Sequence, residues 1–256
     1  MSIFRKILIY SILMVLLFSC ATEKPPKPQT SDEDEWEKLA EQRKKEAMDP
    51  NIVKYIAITF DDGPSVKMTP RVLDRLEKYD IPATFFLVGQ NINESTRPVL
   101  ERAVSLGCEF GNHSWDYNSM NTMSAEKIKE YIDKTSKLIE EYTGTAPEFF
   151  RPPNLAKSDT MWEIIDLPFA EGYLANDWAG MNTDAGKRAE LILNNAKNGA
   201  ILLMHDVQPE PHPTPEALDI IIPELKARGF VFLTLSDLFK QLGVDPNQKK
   251  AWQLVK

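Results

Sequence analysis

From Asn51 onward the chain alternates between two hydrophobic rhythms. Short apolar runs rich in β-branched and aromatic residues occupy 55–60, 83–88, 108–112, 149–152, 172–176, 200–204 and 230–235, and each reads as a strand. The stretches between them carry apolar residues at helical spacing over 70–79, 98–106, 124–142, 160–165, 187–197 and 215–228. In the first of these, Val72, Leu73 and Leu76 share one face. Ser124 stands as an N-cap, while Gly107 and Gly144 stop the helices before them. Seven strands interleaved with helices predict an α/β fold on a parallel sheet. Closed or nearly closed, that sheet is a seven-stranded relative of the eight-stranded barrel, whose active sites gather at the C-terminal strand ends.

The first fifty residues follow neither rhythm. Arg5 and Lys6 precede an apolar or neutral run over 7–18, short for a bilayer span and suited to the core of an export signal. The run ends in Leu17-Phe18-Ser19-Cys20, which resembles a bacterial lipobox. That resemblance implies an exported lipoprotein of the cell envelope or surface, held to the membrane by a lipid on Cys20; a plain secretory signal is the alternative. Residues 1–20 are thus read as a lipoprotein signal peptide and 21–50 as a charged, proline-containing linker. A single domain over 51–243 and a C-terminal tail over 244–256 complete the chain.

Charge sharpens this division. Over 32–49 eight acidic residues face four basic ones, a net of −4, and with Glu23, Lys24 and Lys27 the whole linker carries −3. The folded part over 51–256 is itself acidic, at −7, and binding by phosphate neutralisation is not expected, which argues against a nucleic-acid partner. The 43% hydrophobic content suffices for one sizeable core, and a monomer is expected. With Cys20 lipidated, Cys108 has no intramolecular disulfide partner and reads as a small buried apolar residue.

The polar residues that interrupt the strand pattern are not scattered. Asp61 and Asp62 follow the first strand and His113 the third; Arg151 lies near the end of the fourth, Asp177 after the fifth, and His205-Asp206 after the sixth. Of the three histidines, two fall at this rim and His212 lies in a proline-rich loop. Two carboxylates at a strand end, just before the Gly63-Pro64 turn, can diverge, one toward a metal and one toward a water. Each residue alone has a simpler reading: a solvated turn, a helix cap at Asp177, a surface ion pair for Arg151, a core histidine at 205. One hydrolytic site accounts for all of them together.

The segments Thr59-Phe60-Asp61-Asp62-Gly63-Pro64, Gly111-Asn112-His113-Ser114, Phe150-Arg151-Pro152-Pro153, Asp177-Trp178 and Leu203-Met204-His205-Asp206 occur in this order. Together they resemble the polysaccharide deacetylases, carbohydrate esterase family 4, over roughly residues 52–242. The resemblance implies a distorted (β/α) barrel that binds one divalent metal, zinc first with cobalt, nickel or manganese as alternatives, and removes acetyl groups from a sugar polymer. It assigns Asp61 as general base, His205 as general acid, Arg151 as the partner holding Asp61 ionised, and Asp177 as the group orienting His205. Asp62 and His113 become metal ligands. The Asn154 N–H joins the metal at the oxyanion, and Trp178 and Leu203 form the acetyl slot.

The chain departs from the family pattern at Tyr117, where a second metal-binding histidine normally stands, leaving Tyr117 as a residue facing substrate. Asp116 is a candidate third ligand, and Asn154 replaces an aromatic residue. The segments Ala175-Asn176-Asp177-Trp178 and Met204-His205-Asp206-Val207-Gln208-Pro209, with Tyr117, resemble the acetylxylan esterase branch, while other branches act on N-acetylglucosamine polymers. Trp115 is open between a sugar platform and a packing role. Two other functions compete with the hydrolase: a carbohydrate-binding surface lipoprotein on a degenerate scaffold, motivated by Tyr117 alone, and a scaffold lipoprotein whose contacts lie in the acidic linker.

Overall fold

A computed structural model of the chain describes residues 53–177, 184–207 and 213–256. The signal, Cys20 and linker expectations, and those for Trp178 and His212, lie outside these residues. In order, the described elements are β1 (Lys54–Asp61), α1 (Met68–Tyr79), β2 (Thr84–Leu87), α2 (Arg97–Ser105), β3 (Glu109–Asn112), α3 (Ala125–Thr143), α4 (Asp159–Ile164), β4 (Phe169–Ala170), β5 (Tyr173–Leu174), α5 (Ala185–Asn195), β6 (Ala200–His205), α6 (Thr214–Ala227), β7 (Phe230–Leu233), α7 (Leu235–Leu242) and β8 (Ala251–Trp252). Ser124 caps α3 by accepting the Lys127 N–H, as its position in the sequence predicts.

β1 is the spine of the sheet. β6 pairs along it in parallel from Ile56 to Asp61, while its other edge is shared by β7 toward the N-terminus and β2 toward the C-terminus. β3 follows β2 and β5 follows β6, giving the order β3-β2-β1-β6-β5. Single bridges through Phe150 carry the wall on from Asn112 to Phe169, so strands surround an interior without forming one continuous ladder.

β1 is buried on both faces, and the two faces differ. Ile56, Ile58 and Phe60 pack under the helices with Val72, Leu76, Ile221 and Leu225. Ala57 points the other way, into a smaller cluster with Phe86, Ile201 and Ala170. A narrow barrel has room inside for alanine where its outer layer takes isoleucine. The interior is closed at the N-terminal strand ends by α7, whose Leu235 N–H donates to Thr84 Oγ1 and to Glu109 Oε2 at the starts of β2 and β3. Leu238, Phe239 and Trp252 complete that plug.

The sequence pattern and the structure part company at the weakest strands. Residues 149–152 do not form a strand: only Phe150 bridges, because Pro152 and Pro153 have no N–H to continue a ladder. The fifth expected strand shortens to Tyr173–Leu174, and β4 and β8 have two residues each. Residues 244–256 are not a loose tail. β8 pairs with β4, Trp252 and Val255 are buried, and Trp252 Nε1 donates to the Pro246 carbonyl at 3.0 Å.

Candidate active site

Parallel register sets the first distance of the site. Asp61 and His205 are register partners at the C-terminal ends of β1 and β6, so both side chains enter the same mouth one strand spacing apart. Asp62, next along the chain, takes a left-handed backbone (φ 79°) that turns its carboxylate away from the strand alternation. Asn91 holds that conformation by donating from Nδ2 to the Asp62 carbonyl at 2.8 Å. A Cβ on Gly63 would stand 2.6 Å from Asp206 Oδ2, so the turn needs glycine to let the buried Asp206 carboxylate lie against it. Burial raises that carboxyl to about 7, against the 2.5 Å hydrogen bond it accepts from Thr69 Oγ1.

Arg151 runs through the barrel interior. Its Nε donates to the Ala170 carbonyl, its Nη2 to the Glu171 carbonyl, and its Nη1 to Thr59 Oγ1 and Asp61 Oδ1, the last at 2.6 Å. Phe86 lies against the guanidinium, 4.0 Å from its ring centre. A fully buried arginine is tolerable here because its fork reaches a carboxylate, a hydroxyl and two carbonyls.

His113 faces both aspartates. Its Nδ1 lies 2.7 Å from the Arg151 carbonyl oxygen, an acceptor only, which places the proton on Nδ1. Nε2 then presents a lone pair 3.5 Å from Asp62 Oδ1 and 3.8 Å from Asp61 Oδ2. Two ligands about 2.1 Å from one tetrahedral ion stand about 3.4 Å apart, so Asp62 and His113 suit a shared divalent cation. Burial opposes charge on both groups, but their mutual attraction prevails: His113 draws the Asp62 carboxyl down, and Asp61 and Asp62 draw the imidazole up. Among the described residues, no cage of three or more His, Cys, Asp or Glu forms. Asp116 does not join the pair; it accepts from Tyr131 Oη at 3.0 Å and from the Asn118 N–H.

His205 is held differently. Asp177 accepts its ring Nδ1–H on Oδ1 and its backbone N–H on Oδ2, each at 2.7 Å. Burial would lower the imidazole pKa, but Asp177, with Asp61 and Asp62 behind it, raises it to about 9. The ring's Nε2 is left to the cleft that His205 lines.

These groups open into a cleft of about 370 Å³, with Leu203, Leu174 and Leu155 as apolar wall and Tyr117 and Asn154 at the rim. Tyr117 Oη accepts from Asn91 Nδ2 at 2.8 Å, and burial raises the phenol pKa. Asn154 adopts φ 56° and ties the rim with its side chain, donating to Ser119 Oγ and the Tyr117 carbonyl. Trp115 packs against Gly89 beneath the Lys134 ammonium.

The structure thus brings together Asp61, Asp62, His113, Arg151, Asn154, Asp177, Leu203, His205 and Tyr117. Sequence reasoning missed Thr59, Asn91 and Leu174. Thr59 carried a signal, a hydroxyl within an otherwise apolar strand; Asn91, in a short 3₁₀ turn over Gly89–Asn91, carried none.

Comparison with known proteins agrees with this geometry. The polysaccharide deacetylase family model matches residues 49–167. A bifunctional xylanase/deacetylase of Pseudobutyrivibrio xylanivorans is 46% identical over 204 residues, 79% of this chain and 33% of the relative. The chain spans a third to two fifths of the first curated relatives it matches. A peptidoglycan-N-acetylglucosamine deacetylase of Bacillus cereus is 34% identical over 75% of this chain and 91% of its own length. Among solved structures, a family 4 acetyl xylan esterase from Clostridium thermocellum, in complex with a cobalt ion, superposes with a TM-score of 0.77 at 51% identity, covering 79% of this chain and 99% of that one. At these identities and coverages the chain belongs to the polysaccharide deacetylases, carbohydrate esterase family 4.

Proposed function

We propose that this protein is a metal-dependent hydrolase that removes acetyl groups from a polysaccharide. The observation that carries the proposal is the register pairing of Asp61 with His205 beside the Asp62–His113 pair. A divalent cation on Asp62 and His113, zinc in our reading, supplies carbonyl polarisation and a lowered pKa for water. Asp61, fixed by Arg151, takes the proton of the attacking water. The backbone N–H of Asn154 faces the developing oxyanion from the rim. His205, protonated against Asp177, gives its Nε2 proton to the departing sugar oxygen or nitrogen. Leu203 and Leu174 enclose the methyl group.

The substrate reading follows the relatives' chemistry: an O-acetylated xylan-like glycan first, an N-acetylglucosamine polymer second. We further propose export as a lipoprotein anchored through Cys20, which mass measurement of the membrane-extracted protein checks by the added diacylglyceryl mass. Acetate release after chelation and reloading with zinc or cobalt tests the enzyme, with acetylated xylan and an N-acetylglucosamine oligomer run side by side. Metal-restored release from either supports the hydrolase. Binding of polymer with no release under any metal would replace it with a carbohydrate-binding role.

A further inference from the structure

We infer that Arg188 and Thr214 are positioning residues for His205, acting through Asp177; this rests on the acid role proposed above for His205. Asp177 follows β5 in irregular chain, where no strand ladder fixes its carboxylate. Its orientation is nevertheless specific, since Oδ1 must meet the ring and Oδ2 the backbone N–H of one histidine. The opposite side of Asp177 shows what steadies it. Thr214 Oγ1 donates to Asp177 Oδ2 at 3.2 Å. Arg188 Nη1 donates to that same Thr214 oxygen at 3.1 Å, and Arg188 Nη2 donates to the Asp177 carbonyl at 2.9 Å.

The order of these bonds has a direction. A guanidinium can only donate, so the Thr214 oxygen accepts from Arg188 and its single proton is aimed at the carboxylate. The planar fork of Arg188 spans the carbonyl of Asp177 and the hydroxyl that touches its side chain, so backbone and carboxylate are set by one rigid group. Both residues stand on separate helices. Arg188 lies in the first turn of α5, whose cap Asp184 accepts the Lys187 N–H, and Thr214 opens α6. Asp177, Arg188 and Thr214 are all buried. Two helix starts from different parts of the chain thus converge on one carboxylate, and the histidine ring takes its place from that carboxylate.

Thr214→Val, Thr214→Ser and Arg188→Lys test the inference on the full chain. Valine keeps the shape of threonine and loses the hydroxyl that links Arg188 to Asp177; serine keeps that hydroxyl. The expected result is a kcat loss of about 10- to 100-fold for Thr214→Val and Arg188→Lys with KM changed less than about twofold, a scale set by outer-shell partners of functional histidines. Thr214→Ser restores kcat. The low-field Nδ1 proton resonance of His205 broadens or disappears in Thr214→Val and is retained in Thr214→Ser, which reports ring placement independently of turnover. Wild-type kcat and an unchanged resonance in both Thr214→Val and Arg188→Lys would overturn the inference. If His205→Ala itself keeps turnover, the acid role fails, and the resonance alone decides whether Thr214 and Arg188 place the ring.

Discussion

The two histidines at the mouth of the barrel share a residue type and almost nothing else. His113 gives its Nδ1 proton to a backbone carbonyl, a neutral acceptor, and turns Nε2 toward two carboxylates. His205 gives its Nδ1 proton to a buried carboxylate and turns Nε2 toward the cleft. A neutral second partner leaves an imidazole free to act as a ligand, whereas a charged one stabilises the imidazolium that a general acid needs. Asp62, one of the two carboxylates that raise the His113 pKa, would share the cation with this imidazole, and a cation competes with that proton. The partner at Nδ1 is therefore where the roles we propose for the two histidines divide, His113 as ligand and His205 as proton donor.

Exchanging one histidine at a time breaks this comparison most sharply. His205→Ala is expected to lower kcat by about 10²- to 10⁴-fold while zinc binding, measured by competition with a chromogenic chelator, is preserved. His113→Ala is expected to lose tight zinc binding first and activity as a consequence. Equal loss of zinc affinity in both variants would erase the division of roles.

A smaller change tests the cause rather than the residue. With the His205 pKa near 9, its proton is in place through neutral pH and the rate falls as pH rises through about 9. Asp177→Asn removes the first charge that raises this pKa, so the alkaline limb of kcat moves down toward the ordinary value of 6.5. Stability carries the same sign. A folded-state pKa above the unfolded one means the His205–Asp177 pair stabilises fully below about 6.5 and is lost as pH rises through about 9. Melting temperatures at pH 7 and pH 10 should differ more in the parent protein than in Asp177→Asn. An alkaline limb that stays near 9 in the variant would assign the limb to another group.

The smallest effect is a control away from both histidines. Ser124→Ala removes the hydroxyl that accepts the Lys127 N–H at the start of α3, at a cost of about 1 kcal/mol in urea unfolding. No change in kcat or in its pH limbs is expected. A catalytic effect there would mean that the site is coupled to the outer helices.

How far the sequence could be read depended on range. β1 and β6 were legible because each is a largely apolar run ending in a polar motif, at Asp61 and at His205. α3 was legible from Ser124 and Gly144 at its ends. β4 and β8 were not, since a two-residue strand has no period and exists only through its partner. Trp252 looked like part of a tail for the same reason: its burial comes from Phe239 and the Phe149 cluster, far away in sequence. The site divides along the same line. Motif spacing pointed to Asp61, Asp62, His113 and His205, but the path of Arg151 through the interior and the Asn91 fork between Asp62 and Tyr117 require three dimensions.

The course of Arg151 also bears on how such a protein can change over evolutionary time. One side chain is both part of the hydrophobic filling and the floor on which Asp61 rests. A substitution beneath the floor, at Phe86 or Ala170, is therefore felt by the Asp61 carboxylate, and variation there is punished twice. Tyr117, Asn154 and Leu155 stand on loops above and are free of that double constraint. New sugar preferences should accordingly arise by drift at the rim, while the machinery below is inherited nearly unaltered.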